Sequence, residues 1–520
     1  MGKAAMNGKF DTRRLGRTKR FGGVTLVALA LAGALPSSAR DLTPSAITTA
    51  IGQARQAYEA GDCRGTLRQV DPILADPGFA RLPWQVRLPF LVMGSWCAMK
   101  EGSKPRALAL ATEASHLPET PAIVWQIRFA MAMQLDSYSE AVATLEDMQA
   151  RDPSLLISPG SEIVDDWIFM LSRKLAKQDK AGDMRRRFLA LTSRADFVPA
   201  KTALSYDGMR LDYARLLAKA GKREEADETL GLIRNANVLR DASLDPDLRA
   251  MIPAPFDMRA ALENQIAVLR TIERERPSLL SVSNDIADAQ QMLGDAVAAL
   301  ETLEAARPYG VLEKRFSDRK DQINWWWDSL AQAYFLLGRY DDAAAAYRQA
   351  IAEGEKGLAE QNISQQLNFT SVTRKFGHNQ AALDLLDSID IDSDKRASPY
   401  GRMVWHFVHG CAAWALGKKD VAALDRAWAE QHEDVAPRSV TRLYLCTADD
   451  EAAAASFIRR LADPDERVKA LVDLSGYQPR VATSPIPPED AALERVKARA
   501  DVQAAIAKAG GIREFNIPAS

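Results

Sequence analysis

One pattern constrains the fold of this chain most strongly: two stretches of helical periodicity meet at a single glycine. Before Gly338, apolar residues recur at i, i+3, i+4 and i+7, the spacing of one face of an α-helix. Glycine ends a helix readily because it lacks a Cβ and adopts a left-handed conformation without strain. A second periodic stretch follows, and its small alanines face the larger residues of the first. The pattern predicts two antiparallel helices in close contact, built on Trp327, Leu330, Ala331, Tyr334, Ala343, Tyr347 and Ala350.

The same pattern returns elsewhere in the chain. Residues 122–155 repeat it from Trp125 to Pro153, with one departure, Arg128, where an apolar residue is expected. Residues 324–357 and 122–155 each resemble the tetratricopeptide repeat, a helical hairpin marked by a Trp, a Leu-Gly/Ala pair, a Tyr, a turn, an Ala and an aromatic residue. Weaker copies of the turn and its Ala-led second helix occur at Gly61, Gly102, Gly221, Gly377 and Gly417.

The resemblance implies an all-α fold, an α-solenoid of stacked antiparallel helical hairpins that forms a TPR-like superhelix. We expect TPR-like repeats over residues 40–240 and 321–476, separated by an irregular helical segment over 241–320 that is rich in proline breakers. A proline-rich linker is predicted for 477–488 and a single terminal helix with a tail for 489–520.

In this family the first helices of successive repeats line the concave face and hold peptides. The resemblance therefore implies binding residues at the matching positions of three first helices. An aromatic anchor and forked or point-charge donors of this kind suit an extended, partly acidic peptide. The predicted residues are Trp325, Asp328, Gln332 and Phe335 in 324–337, Arg215 and Lys219 in 207–220, and Arg374 and Lys375 in 363–376.

The first 39 residues are typical of a bacterial export signal. Seven Lys or Arg residues precede a short apolar stretch, Val24–Leu35, and small residues follow up to Ala39. Twelve apolar residues are short for a bilayer span, so we predict cleavage after Ala39 and a periplasmic or secreted mature chain. The alternative is anchoring to the inner membrane through an uncleaved signal. We predict no stable membrane span in the mature chain, because no later segment has the necessary apolar length.

Four cysteines follow the predicted signal in two pairs. Cys63 and Cys97 are 34 residues apart, and Cys411 and Cys446 are 35 residues apart. An oxidising compartment favours disulfide formation. Because each separation is about one repeat, the two partners of each pair fall on neighbouring hairpins. We therefore predict the disulfides Cys63–Cys97 and Cys411–Cys446.

Charge and motifs exclude several functions. Beyond residue 39 the chain carries 60 basic and 68 acidic side chains, whereas nucleic-acid binding needs a basic surface that releases counterions from phosphates. We therefore predict no nucleic-acid partner. Nucleotide-binding loops, dinucleotide fingerprints, zinc-protease motifs and nucleophile elbows are missing from the sequence. His406 and His409 lie one helical turn apart, which suits either a metal ion or the edge of a helix core.

We accordingly predict no catalytic residue, metal or cofactor. The favoured function is a non-catalytic scaffold or adaptor of the bacterial cell envelope that binds a protein or an extended peptide on the concave face. The alternative is an envelope enzyme with a hydrolytic or metal site in the irregular segment 241–320.

Overall fold

The structure is a computed structural model, and it describes residues 43–156, 162–179, 182–195, 197, 206–309, 313–357, 362–392, 394, 397–483, 485–487 and 489–519. The predicted signal and its cleavage site after Ala39 lie outside these ranges. The described chain is almost entirely α-helical, as the sequence predicts. It divides into two compact units between Leu216 and Leu217, so residues 241–320 belong to the second unit.

The N-terminal unit is a series of helices. Short 3-10 turns at Phe79–Arg81 and Pro153–Leu156 connect some of them. The helices are α1 Pro44–Glu59, α2 Cys63–Leu74, α3 Trp84–Lys100, α4 Lys104–Ser115, α5 Ala122–Gln134, α6 Tyr138–Arg151, α7 Glu162–Gln178, α8 Asp183–Thr192 and α9 Asp207–Lys219, within which the unit ends. Helices α1 to α6 each contact the next along the chain, while α7 contacts α5 and α8.

The C-terminal unit continues the helical hairpins and ends in a segment that contacts several of them. Its helices are α10 Arg223–Leu230, α11 Ala236–Leu244, α12 Met258–Glu275, α13 Leu280–Met292, α14 Ala296–Ala305, α15 Arg319–Leu336, α16 Tyr340–Gly357, α17 Asn362–Lys375, α18 Asn379–Asp387, α19 Pro399–Ala415, α20 Lys419–Gln431, α21 Pro437–Cys446, α22 Asp450–Ala462, α23 Arg467–Leu474, α24 Glu489–Lys497 and α25 Ala500–Lys508. A 3-10 turn, Glu433–Val435, precedes α21, and strand β1, Gly476–Gln478, pairs in parallel with β2, Glu514–Pro518.

The turn between α15 and α16 shows why these hairpins form. Gly338 has φ +69°, and its N–H donates to the carbonyl of Phe335 at 3.0 Å. The next N–H, from Arg339, donates to the carbonyl of Tyr334 at 2.9 Å, so the last carbonyls of α15 are satisfied. The predicted turn glycines at 61, 102, 221, 377 and 417 all have φ between +76° and +83°. The prediction of stacked helical hairpins is confirmed.

Three elements differ from the sequence prediction. Within the segment expected to be irregular, α13 and α14 form a regular hairpin around Gly294, with φ +81°. Residues 489–508 form two helices rather than one, because Arg499 has an extended backbone with ψ 141°. The strand pair β1–β2 has no signal in the helical periodicity, since it joins two short segments 38 residues apart.

The departure at Arg128 has a structural reason. Its guanidinium is buried on α5, where Nε donates to Glu140 and Nη1 donates to Asp147, both at 2.7 Å. Nη1 also donates to the hydroxyl of Ser115 at 3.1 Å. Charged partners at neighbouring positions of the same array therefore satisfy a side chain that replaces an apolar one.

In the C-terminal unit, the first helices of successive hairpins form a row. Helices α13, α15, α17, α19 and α21 each contact the next of the series. We call this surface the first-helix row. It is the counterpart of the face on which the sequence places Trp325, Asp328, Gln332 and Phe335.

Candidate functional site

The three consecutive tryptophans of α15 have different environments. Trp326 is fully buried, and its indole N–H donates to the carbonyl of Leu303 at 3.0 Å. Trp327, which the repeat pattern assigns to the core, is only half-buried beside Tyr309. The assignment was therefore one position off, because the full core position belongs to Trp326. Trp325 is half-buried and remains a candidate contact residue.

Asp328 and Gln332 belong to a hydrogen-bond network that joins three helices. The side-chain amide of Gln332 donates to the hydroxyl of Tyr347 on α16 at 2.7 Å, and that hydroxyl in turn hydrogen-bonds Asp328. The amide of Asn368 on α17 donates to Asp328 at 3.0 Å. Burial raises the pKa of Asp328 to about 6, and the hydrogen bonds from Asn368 and Tyr347 oppose this shift. The first-helix row thus has a polar strip at α15 and α17.

Phe335 is a core residue, and its prediction as an exposed ligand contact is wrong. Its ring is buried and packs edge-on against Phe376 with a centroid separation of 5.4 Å. The ammonium of Lys375 lies 5.2 Å from the centroid of the same ring. Projection from the repeat pattern failed here because the end of α15 is covered by the end of α17.

Arg374 is buried as well, and its partner comes from far along the chain. Nη2 donates to Oε1 of Glu489 at 2.6 Å and Nη1 donates to Oε2 at 3.2 Å, a two-pronged ion pair in which both side chains are 4% exposed. The prediction that Arg374 is open to a ligand is therefore wrong for this structure. A carboxylate of the protein itself already occupies the guanidinium.

Two further cations surround this ion pair. Lys375 and Arg442 both interact electrostatically with Glu489, and the guanidinium carbons of Arg374 and Arg442 lie 5.6 and 5.9 Å from the ring centroid of Phe407. Burial, followed by the charges of Arg442 and Arg374, lowers the pKa of Lys375 to about 7. Burial also lowers the pKa of Arg442. We call Arg374, Lys375 and Arg442 the cationic cluster.

Glu489 lies beside the cationic cluster, at the end of a segment that passes successive hairpin turns. We call residues 479–489 the strap; Ser484 and Pro488 lie outside the described residues. Val481 lies beside Gly294 in the α13–α14 turn. Thr483 donates its hydroxyl to the carbonyl of Leu336 at 2.6 Å, beside the α15–α16 turn. The strap then reaches Arg374, near the end of α17. The strap therefore follows the ends of three successive first helices. The helical periodicity of the sequence does not predict this path.

The remaining two predicted cations lie on α9. Arg215 donates to Asp212 at 3.0 Å and is half-buried in the N-terminal unit. Lys219, in the C-terminal unit, lies 3.5 Å from Asp247 and is exposed. Both belong to ion pairs. Their role in binding stays a prediction.

The cysteines are joined in the two pairs that the spacing predicts. Cys63–Cys97 links α2 to α3 with a Cα–Cα distance of 4.9 Å, and Cys411–Cys446 links α19 to α21 with 5.6 Å. Both distances lie in the range that a disulfide spans. One crosslink therefore falls in each unit.

The histidine pair has a hydrogen-bonding role within the core. Nδ1 of His406 and Nδ1 of His409 contact the two carboxylate oxygens of Asp425 at 2.8 and 2.6 Å. Burial acts to lower the pKa of His409, but Asp425 and Asp387 raise it above its ordinary value. Within the described ranges, no three His, Cys, Asp or Glu side chains are grouped to bind a metal ion. This part of the chain also contains no helix long and apolar enough to cross a bilayer.

The fold and its repeated glycine turns define the class: the chain is a TPR-like helical repeat protein. Among solved structures it is similar to the Rap protein complexed with competence and sporulation factor, with 12% identity and a TM-score of 0.35 over 82% of this chain and 99% of that one. It is also similar to yeast Tom70, with 13% identity and a TM-score of 0.27 over 89% of this chain and 99% of that one.

A third similar structure is a monomeric mutant of IFIT1 with m7Gppp-AAAA, with 13% identity and a TM-score of 0.31 over 89% of this chain and 90% of that one. No protein-family model matches the sequence, and no curated protein matches it. The ligands named for these structures belong to those proteins and are not assigned to this chain.

Proposed function

We propose that this protein is a non-catalytic scaffold or adaptor of the bacterial cell envelope that binds a protein or an extended peptide. The binding surface is the first-helix row of the C-terminal unit together with the hairpin turns at its edge. The polar strip of Asp328, Gln332 and Asn368 supports this proposal, because a surface of hydrogen-bonding groups beside the half-buried Trp325 suits a polypeptide backbone.

One observation carries the proposal. The C-terminal unit already binds an irregular segment of polypeptide, the strap, along the ends of α13, α15 and α17. Binding uses a side-chain hydrogen bond to a helix-end carbonyl and a buried carboxylate–guanidinium pair. The helix-end carbonyl recognises a hydrogen-bond donor such as the Thr483 hydroxyl, and the guanidinium recognises a carboxylate. An extended peptide with a hydroxyl and an acidic side chain offers both.

The envelope location rests on the sequence and on the cysteines. The basic and apolar start of the chain is typical of an export signal, with cleavage predicted after Ala39. Four cysteines placed at bonding distance in two pairs suit an oxidising compartment. We therefore propose a periplasmic or secreted protein, with anchoring through an uncleaved signal as the other outcome of N-terminal sequencing on protein from an envelope fraction.

The binding proposal is tested by retrieving the partner and measuring its affinity. The mature chain is used to capture partners from envelope extract, and the retained protein is identified by mass spectrometry. Its affinity is then measured by calorimetry for the unchanged chain and for Trp325→Ala. Loss of an aromatic anchor is expected to weaken binding by about 2 kcal/mol.

Trp96→Ala is the matched control, since Trp96 is a half-buried tryptophan on α3 of the N-terminal unit. It should leave the affinity unchanged, and circular dichroism should show helical folding in both variants. Equal affinity for Trp325→Ala and the unchanged chain would place the binding surface elsewhere.

A further inference from the structure

We infer that the strap is a displaceable internal ligand. It occupies the turn edge of the C-terminal unit, which is the surface formed by the ends of α13, α15 and α17, until an extended peptide bearing a carboxylate replaces it. This inference rests on the proposed function, because it concerns the regulation of the same surface. Three features of the strap carry it: where it is anchored, which charges it meets, and how closely it approaches one glycine.

The strap is anchored at its two ends and is partly exposed between them, although Pro487 is buried and Arg480 donates to Asp490 at 2.8 Å. Before it, β1 pairs with β2, whose residues Phe515 and Ile517 are buried in the core. After it, α24 contributes buried Val496 to the same core. Between these anchors, Thr483 is exposed, and Ile486 is 75% exposed although it is a large apolar residue. Thr483 and Ile486 can therefore leave the turns while β1, β2 and most of α24 remain packed. Glu489 is the first residue of α24, so its release requires only that the first turn of that helix opens.

The basic side chains around Glu489 include a donor that this carboxylate does not satisfy. Arg374, Lys375 and Arg442 all interact with this single group, and the Nε of buried Arg374 has no acceptor among the described residues. An incoming acidic peptide offers a carboxylate that can take the place of Glu489 and further acceptors for the remaining donors. The cationic cluster therefore selects a partner with acidic side chains or a terminal carboxylate.

Gly338 is the place where the strap comes closest to a hairpin turn. A Cβ built on this residue would lie 2.6 Å from the carbonyl oxygen of Thr483, which is too close for any real contact. Gly377 has the same left-handed backbone, with φ +83°, but a Cβ there meets no atom within 4 Å. Alanine at these two positions thus imposes similar backbone strain but dislodges the strap only at Gly338.

The experiment uses a fluorescein-labelled synthetic peptide with the sequence of residues 485–490, titrated into the full mature chain. This peptide carries Glu489 but not Thr483, so a Cβ at position 338 hinders the strap and not the peptide. The unchanged chain should bind it weakly, because its own strap fills the site. Glu489→Gln and Gly338→Ala should each bind it about tenfold more tightly, since each weakens the internal competitor. The matched controls are Glu494→Gln, an exposed glutamate of α24, and Gly377→Ala. Both should bind like the unchanged chain.

A second peptide, with Gln in place of Glu489, should bind the Glu489→Gln and Gly338→Ala chains no more tightly than it binds the unchanged chain. This result would identify the carboxylate as the recognised group. Circular dichroism establishes folding, and Gly338→Ala tests the inference even if Glu489→Gln does not fold. Equal binding by all chains, or no binding by Glu489→Gln and Gly338→Ala, would overturn the inference. If the captured partner still binds in that case, the proposed function survives alone; if no chain retains a partner, the proposed function fails as well.

Discussion

Two buried arginines on first helices, Arg128 in the N-terminal unit and Arg374 in the C-terminal unit, are neutralised in different ways. Arg128 in the N-terminal unit pairs with Glu140 and Asp147, which lie 12 and 19 residues further along, on the second helix of the same hairpin. Arg374 in the C-terminal unit pairs with Glu489, 115 residues further along and outside the hairpins. The first pair belongs to the repeat, whereas the second joins the repeats to another segment.

This difference indicates where the array binds polypeptide. A repeat that supplies its own counterions is complete without a partner. A repeat whose buried guanidinium depends on a segment from outside has the chemistry of a binding site, because burial of an unpaired charge is costly. We therefore expect the two arginines to respond differently when their partners change.

The largest expected effect is on stability, and it tests directly whether the two buried arginines differ. Glu489→Ala leaves the 4% exposed guanidinium of Arg374 without a counterion and should lower the free energy of unfolding by about 3–5 kcal/mol. Arg128→Met should cost less than half of that, because the side chains of Glu140 and Asp147 are 28% and 43% exposed and can be hydrated. Urea unfolding followed by circular dichroism measures both. Equal losses would show that the two ion pairs are equivalent.

The second effect concerns the crosslink in each unit. The disulfides close loops of 34 and 35 residues, so removing either one by Cys→Ser substitution should cost about 3–4 kcal/mol in the chain-entropy account. The two losses should be alike because the loops are alike. Non-reducing peptide mapping checks the pairing first. Four free thiols in freshly isolated protein would remove this similarity between the units.

The smallest effect tests the polar strip of the first-helix row. The pKa of Asp328 is raised from 3.8 to about 6 by burial, so its stabilising contribution is present below pH 4 and is lost as the pH rises through 6. Asp328→Asn should therefore raise the free energy of unfolding at pH 7.5 by about 1–2 kcal/mol and leave it nearly unchanged at pH 4. Thermal melts at the two pH values measure this. An equal change at both would contradict a raised pKa.

Much of the fold was predictable because its signals are local. A turn glycine between two periodic stretches marks most hairpins, and Gly338 is confirmed at such a turn. The α21–α22 hairpin gave a weaker signal, since its turn uses Ala448 with φ +58° rather than glycine. Arg128 was visible only as an exception, because its partners lie on the facing helix.

The site was harder to predict because it depends on distant contacts. The repeat pattern placed Phe335 and Arg374 on an open surface, but α17 covers the first and Glu489 the second. Helical periodicity does not predict the contact between Arg374 and Glu489, because these residues are 115 positions apart. Proline-rich composition predicted the absence of helix in 477–488, but composition carries no information about which turns such a segment passes.

The central claim is that the turn edge of the C-terminal unit holds an extended segment and exchanges it for a partner. Hydrogen–deuterium exchange of the mature chain, with and without the captured partner, tests this most directly. We predict faster exchange in the strap on partner binding, together with slower exchange in α15 and α17. Unchanged exchange in the strap, with new protection confined to the N-terminal unit, would contradict the claim.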